Sequence, residues 1–132
     1  HRLETDVPAF VVTADRKGRY DWATVFLKQD GDFGTFGCAL DETTNRVTVE
    51  GVSNVTALVL EPPTTRVALG TDFTFSFSTA DPHPTLVRFA GVTAAPDRVL
   101  EGAVPFTTWT YDAAQDTLTL TMKGGAVKSC TF

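Results

Sequence analysis

The chain has 132 residues, a length that fits one domain and allows a core to form without metals or many disulfides. Its formal net charge of −5, from 11 basic and 16 acidic residues, argues against a nucleic-acid or anionic-membrane partner, because both need a basic surface. No apolar run approaches the roughly 20 residues of a membrane-spanning helix. These properties predict a single globular domain over residues 1–132, with no nucleic-acid partner and no membrane insertion.

Short runs of β-branched and aromatic residues alternate with turn residues along the whole chain, and no long window has a helical period. The predicted strands are, in chain order, 8–13, 20–28, 35–40, 46–50, 55–60, 65–69, 73–77, 86–90, 106–111, 117–122 and 127–132. About ten or eleven strands are too many for one sheet. The sequence therefore predicts an all-β fold, a two-sheet antiparallel β-sandwich of Ig-like or jelly-roll-like type.

Two details strengthen the strand assignment. Phe73, Phe75 and Phe77 alternate with small polar residues, which places three phenyl rings on one face of a strand. The polar segment 41–45 separates two alternating runs and predicts a hairpin loop. The prolines at 82 and 84 place residues 81–84 in a second loop.

The two cysteines, Cys38 and Cys130, lie far apart in sequence and are too few for an ordinary zinc site. A long-range disulfide in a secreted domain is the leading interpretation, and two free buried thiols are the alternative. The triplet Asn54-Val55-Thr56 is a glycosylation sequon, which is compatible with secretion. Together they predict a secreted, extracellular glycoprotein.

Four aromatic residues are candidates for ligand contact. Tyr20 and Trp22 are two apart in one predicted strand, as are Trp109 and Tyr111, so each pair shares a face. An exposed pair can stack on the apolar face of a sugar ring. The alternative is that both pairs belong to the core, because Trp and Tyr are mostly buried, and Thr108 and Thr110 then face solvent.

His1 and His83 are the only histidines in the chain. If His1 begins the mature protein, its amine and imidazole together with His83 resemble the histidine brace of lytic polysaccharide monooxygenases, and imidazole suits copper. The alternative is that His1 marks a processing boundary and His83 is a loop residue.

Acidic residues also cluster in predicted loops. The turn 29–32 carries Asp30 and Asp32, which suits a loose calcium site but lacks the spaced Glu of an EF-hand. The pairs Asp30 with Asp32 and Asp41 with Glu42 have the chemistry of glycosidase carboxylates, although carboxylates in acidic loops are usually solvated charge. We therefore expect no catalytic residue.

The segment 86–122 has a recognisable order of features. A strand ends in Gly91-Val92 and is followed by Ala95-Pro96, Val99-Leu100, the strand 106–111, a turn and the closing strand 117–122. In these features the segment resembles the C-terminal β-sandwich domain of glycoside hydrolase family 31, the α-glucosidase and α-xylosidase family. The resemblance implies a non-catalytic module, since the family's catalytic aspartates lie in a barrel that this sequence lacks.

These observations predict a carbohydrate-associated module without enzymatic activity, either sugar-binding or an accessory domain of a secreted glycoside hydrolase. The first alternative is a structural or adhesive Ig-like domain that acts through protein contacts. The second alternative is a secreted copper protein with an N-terminal histidine brace. Carbohydrate is the expected partner, and no cofactor is expected unless the copper or calcium site exists.

Overall fold

A computed structural model describes residues 9–14, 18–20, 22–28, 33–63, 66–69 and 71–132. All regular secondary structure within these ranges is β-strand. The described residues contain no helix that is long and apolar enough to span a membrane. The strands are β1 (Ala9–Ala14), β2 (Gly18–Tyr20), β3 (Ala23–Leu27), β4 (Gly34–Asp41), β5 (Arg46–Ser53), β6 (Val55–Leu60), β7 (Phe73–Thr79), β8 (Thr85–Ala90), β9 (Arg98–Glu101), β10 (Val104–Pro105), β11 (Trp109–Asp112), β12 (Thr117–Met122) and β13 (Ala126–Thr131).

The strands form two sheets that pack against each other, which confirms the predicted all-β sandwich. Sheet A has seven strands in the order β1-β4-β5-β7-β13-β9-β10, and sheet B has six in the order β11-β12-β8-β6-β3-β2. Most neighbours are antiparallel, but β5 pairs with β7 and β6 pairs with β8 in parallel, so both sheets are mixed.

The parallel pairs result from the path of the chain between the sheets. From β5 to β8 the chain alternates between sheet A and sheet B, so each strand in the opposite sheet serves as a crossover. Parallel neighbours require such a crossover, whereas a tight hairpin produces antiparallel neighbours. Each return to the same sheet therefore places a strand parallel to its predecessor.

Alternating side chains from both sheets form the core. Phe73, Phe75 and Phe77 are 2%, 0% and 3% exposed, which confirms that they share the buried face of β7. Phe75 meets Phe89 of sheet B edge to face, with ring centroids 4.9 Å apart. Such edge-to-face pairs stabilise a core beyond the burial of their area. The contact joins the two sheets near the middle of the sandwich.

The predicted strand at 65–69 is wrong for its described part. Residues 66–69 form no strand, although Val67 and Leu69 are buried and cover the core. The side chain of Asn45 holds this segment, because its Nδ2 donates to the carbonyl of Ala68 and its Oδ1 accepts from the N–H of Ala68, both at 2.8 Å. Side-chain bonds to Asn45 thus replace strand pairing at Ala68.

The single strand predicted at 20–28 is instead a hairpin. Strand β2 ends at Tyr20, β3 begins at Ala23, and these two residues are partners across the antiparallel pair. Tyr20 and Trp22 therefore do not lie along one strand, because Trp22 is part of the turn.

The predicted disulfide between Cys38 and Cys130 is also wrong, because both are free thiols buried in the core. Cys38 lies on β4 and Cys130 on β13, and β5 and β7 separate those strands within sheet A. Three strand spacings place the two strands about 14 Å apart, whereas a disulfide needs Cα atoms within about 7 Å.

Two hairpins end in the same kind of turn. Asp41 Oδ1 accepts the N–H groups of Thr43 and Thr44 at 2.9 and 3.3 Å, and the turn closes with Asn45 at φ 52°. This confirms the hairpin loop predicted at 41–45. The β11–β12 turn repeats the arrangement, with Asp112 as the acceptor and Asp116 at φ 50°. Aspartate and asparagine favour such turns because they bond nearby backbone and tolerate positive φ.

Candidate functional site

A groove of about 490 Å³ lies on the outer face of sheet B, at the end formed by β8, β12 and β11. Its lining consists of five threonines, two apolar residues and one cation: Thr107, Thr108, Thr110, Thr119, Thr121, Leu86, Trp109 and Arg88. The volume is within the usual range for small-ligand sites.

The strand register fixes the floor of the groove. Thr119 is paired with Thr110 on one side and with Arg88 on the other, so the three residues form a row across three strands. Leu118 and Leu120, on either side of Thr119 in β12, are fully buried, so alternation directs the side chain of Thr119 outward. The rim is fixed as well, because the N–H of Thr121 donates to the carbonyl of Thr108 at 3.0 Å.

Among the residues that the structure describes, Arg88 is the only charged one that lines the groove. It is half-buried, and its sequence neighbours Val87 and Phe89, which have no exposed surface, face the core, so alternation directs Arg88 to the outer face of β8. Among the described residues, its guanidinium has no hydrogen-bond or salt-bridge partner. Two other arginines have carboxylate acceptors: Arg19 pairs with Glu61 and Arg66 pairs with Glu42.

Four further grooves on the described surface differ from this one in charge. Each is bordered by at least one carboxylate, supplied by Glu50 in two of them, by Asp81 in the third, and by Glu42 and Asp72 in the fourth. In the described part of the chain, the groove on sheet B is lined by a cation without an acceptor and by hydroxyl groups, with no acid. It is therefore the best candidate site for a polar or anionic ligand.

The aromatic pair on β11 lies mainly on the inner side of the sheet. Trp109 is opposite Leu120 and Tyr111 is opposite Leu118, and directly opposed residues share a face. Both rings are half-buried and pack against the core. The hydroxyl of Tyr111 donates to the carbonyl of Val92 at 2.8 Å. Only Trp109 of this pair also borders the groove.

Burial raises the pKa of Tyr111 above its ordinary value, and the nearby carboxylates of Asp116 and Asp112 add to the effect. A phenol is protonated at neutral pH even at its ordinary pKa of 10.0, and the shift acts in the same direction as the role of Tyr111 as a hydrogen-bond donor.

The other aromatic pair is on the opposite edge of sheet B. Trp22 is 1% exposed and meets Phe10 edge to face, with centroids 5.0 Å apart, so its ring is part of the core. Tyr20 is half-buried and packs against that core. Strands β2 and β11 are the two edges of the sheet, so the structure does not bring the aromatic pairs together.

His83 lies in the loop before β8, with both ring nitrogens near acceptors. Its Nε2 is 3.2 Å from Asp81 Oδ2, and its Nδ1 is 3.2 Å from the carbonyl of Pro84. His1 and the turn 29–32 lie outside the described residues, and with them the copper brace and the calcium loop. Within the described ranges, no three His, Cys, Asp or Glu side chains are placed to hold a metal.

The sequon is at the point where the chain passes from sheet A to sheet B. Asn54 has φ 57° and is half-buried, while Thr56 is exposed. The N–H of Asn54 donates to Asp81 Oδ2 at 2.7 Å, so Asp81 links this junction to His83. Glycosylation of Asn54, and secretion with it, stay predictions.

The remaining candidate groups have structural contacts. Asp41 holds its turn and Glu42 pairs with Arg66 at 2.7 Å, so this acidic pair is engaged. Burial raises the pKa of Cys130 to about 12 and that of Cys38 still further. A nucleophilic cysteine needs a lowered pKa, so neither thiol suits that chemistry.

No protein-family model matches the chain, and searches of curated proteins and of solved structures returned no match. The groove therefore has to be interpreted from its own residues. Sequence reasoning did not single out Arg88. Of the groove residues, sequence reasoning singled out Trp109 as a ligand candidate and Thr108 and Thr110 as facing solvent, and alternation along β12 also places Thr119 and Thr121 on one face.

Proposed function

We propose that this protein is a non-catalytic carbohydrate-associated module that binds sugar in the groove on sheet B. The observation that carries the proposal is the combination of five threonine hydroxyls and one free guanidinium in a single groove. A hydroxyl both donates and accepts, and a guanidinium donates five N–H groups, so this lining matches the many hydroxyls of a sugar. The resemblance of residues 86–122 to a sandwich domain of glycoside hydrolases supports the same assignment.

The groove also offers an apolar surface of modest size. Leu86 and Trp109 line it beside the threonines, so C–H groups of a sugar ring have partners there. Hydrogen bonds from the row Thr110, Thr119 and Arg88 carry most of the recognition in this proposal. The two aromatic pairs, which were expected to stack on sugars, instead pack mainly in or against the hydrophobic core.

An adhesive role would be favoured by a contiguous exposed apolar patch. The large exposed apolar side chains in the described ranges are Val11, Phe33, Val104 and Val127, at 84%, 67%, 66% and 44%. Val11 and Val127 are on β1 and β13, with three strands of sheet A between them. Sugar binding is therefore the function that the described surface supports better.

Affinity electrophoresis through gels containing amylose, dextran, xylan or polygalacturonate tests this proposal. The native protein is expected to be retarded by at least one polysaccharide. Thr119→Val removes a groove hydroxyl with little change of shape and should reduce the retardation. Thr24→Val is the matched control, because Thr24 is on the same sheet and half-buried but does not line the groove. Equal retardation of both variants and the native protein, or none in any gel, contradicts the proposal.

A further inference from the structure

We infer that the groove selects an acidic glycan, a chain of uronic acid residues with one carboxylate per sugar, and that Arg88 binds that carboxylate. This inference rests on the proposed function and specifies its ligand class. Arg88 is half-buried in the groove and has no acceptor among the described residues.

Among the described arginines, Arg98 also has no acceptor, but its side chain is exposed on β9, whereas that of Arg88 is half-buried in the groove. Arg19 and Arg66 have carboxylate partners, and Arg46 donates to the hydroxyl of Ser76. A guanidinium presents a planar fork that matches a carboxylate with two parallel hydrogen bonds. Arg88 keeps that fork available for a ligand.

The charge around the groove favours an anion at this place and disfavours it elsewhere. The chain has a net charge of −5, and carboxylates border each of the four further grooves. The described residues that line the groove around Arg88 include no acid. The nearest acid along β11 is Asp112, two residues beyond Thr110, and its Oδ1 accepts two backbone N–H groups of the turn. An anionic sugar is therefore repelled by most of the surface and attracted to Arg88.

A single cation also indicates how much charge the ligand carries. One guanidinium neutralises one anionic group, and the remaining polar residues of the groove are hydroxyls. A densely sulfated glycan would place several further charges against a protein of net charge −5 without compensation. A uronate carries one carboxylate on each sugar, fewer charges than a densely sulfated sugar, so Arg88 neutralises the sugar that occupies the groove, whose hydroxyls remain for Thr110 and Thr119.

Isothermal titration calorimetry with tetragalacturonate, maltotetraose and dextran sulfate tests the inference. The native protein is expected to bind tetragalacturonate best. Arg88→Gln should weaken that binding roughly ten- to hundredfold, because a charge-assisted hydrogen bond is lost. Arg88→Lys should give an intermediate loss, since the charge remains without the fork. Arg98→Gln removes the same charge from an exposed site on β9, outside the groove, and should leave binding unchanged.

The outcomes separate the inference from the proposed function. If maltotetraose binds as well as tetragalacturonate and Arg88→Gln changes neither, sugar binding stands and the acidic ligand is wrong. Stronger binding of dextran sulfate overturns the choice of carboxylate. Tetragalacturonate binding that survives Arg88→Gln but is lost in Thr119→Val overturns the role of Arg88. No binding of any probe contradicts both proposals.

Backbone amide chemical shifts of the native protein provide a test that does not depend on variant folding. Tetragalacturonate should shift the amides of β8, β11 and β12 near Arg88 and Thr119. Shifts confined to another surface overturn the inference even if every variant unfolds.

Discussion

The buried ammonium of Lys128 lies 3.1 Å from Glu101 Oε1, although Lys128 is 3% exposed and Glu101 is 54% exposed. Lys128 projects toward the core from β13, opposite Phe75 of β7. Its Nζ also lies 4.0 Å from the centroid of the Phe106 ring. A carboxylate at the rim and an aromatic face thus satisfy a charge on the inner side of the sandwich.

Removing the carboxylate should destabilise the fold. Glu101→Gln is expected to lower the free energy of unfolding by about 1 kcal/mol, since a buried charge loses its partner but the half-exposed site admits water. Lys128→Met should be neutral or stabilising, because an apolar chain of similar shape needs no partner. Urea unfolding of both variants measures the difference. If Lys128→Met lowers the free energy of unfolding more than Glu101→Gln does, the ion pair stabilises the fold on balance.

Cys38 and Cys130 should be unreactive in the folded protein. Both are buried and their pKa values are raised, so little thiolate forms at neutral pH. Ellman's reagent is expected to react with neither thiol on a short time scale in the native protein and with both thiols in denaturant. Detection of none in denaturant, with recovery after reduction, would show that the cysteines are oxidised.

The same thiols predict a loss of stability in alkali. An ordinary thiol has a pKa of 9.0, whereas that of Cys130 is about 12 in the fold. Above about pH 9 the unfolded chain therefore loses a proton that the native state keeps, and stability falls as pH rises toward the native pKa. Each thiol should lower the free energy of unfolding by about 1.4 kcal/mol between about pH 8 and about pH 10.

Urea unfolding across that pH range is the measurement. The decrease in the free energy of unfolding per pH unit should be smaller in Cys130→Ala than in the native protein. It should be smaller again in the double variant that also carries Cys38→Ala. An unchanged slope in the double variant would assign the alkaline loss to other groups.

Trp22 should stabilise the fold and have no direct part in ligand binding. Trp22→Ala is expected to cost about 3–5 kcal/mol, because a fully buried ring leaves a cavity. Thermal unfolding should show a clearly lower midpoint, and polysaccharide retardation at a temperature where the variant is folded should equal that of the native protein. A folded variant with unchanged stability but lost retardation would instead place Trp22 at the ligand.

Local patterns allowed much of the fold to be predicted. Alternation identified the buried face of β7 through Phe73, Phe75 and Phe77, because the period of two is a local property. The strand order was not accessible in the same way. The positions of Cys38 and Cys130 in sheet A depend on β5 and β7 pairing in parallel, which involves residues distant in sequence.

The candidate site was predicted only in part for a related reason. Alternation correctly places Trp109 and Tyr111 on one face, but it does not tell which of the two faces is buried. Arg88 looks like an ordinary outward-facing residue of a strand until the structure shows that it has no acceptor in the described ranges. Its pairing with Thr119 joins β8 to β12 and follows from the register of the sheet.

The position of β13 has a consequence for biosynthesis. This strand follows every other described strand along the chain, yet it bonds to β7 on one side and to β9 on the other, in the interior of sheet A. Until residues 126–131 leave the ribosome, β7 and β9 keep unpaired backbone edges, which invite association with other chains. Completion of sheet A must therefore wait for these residues.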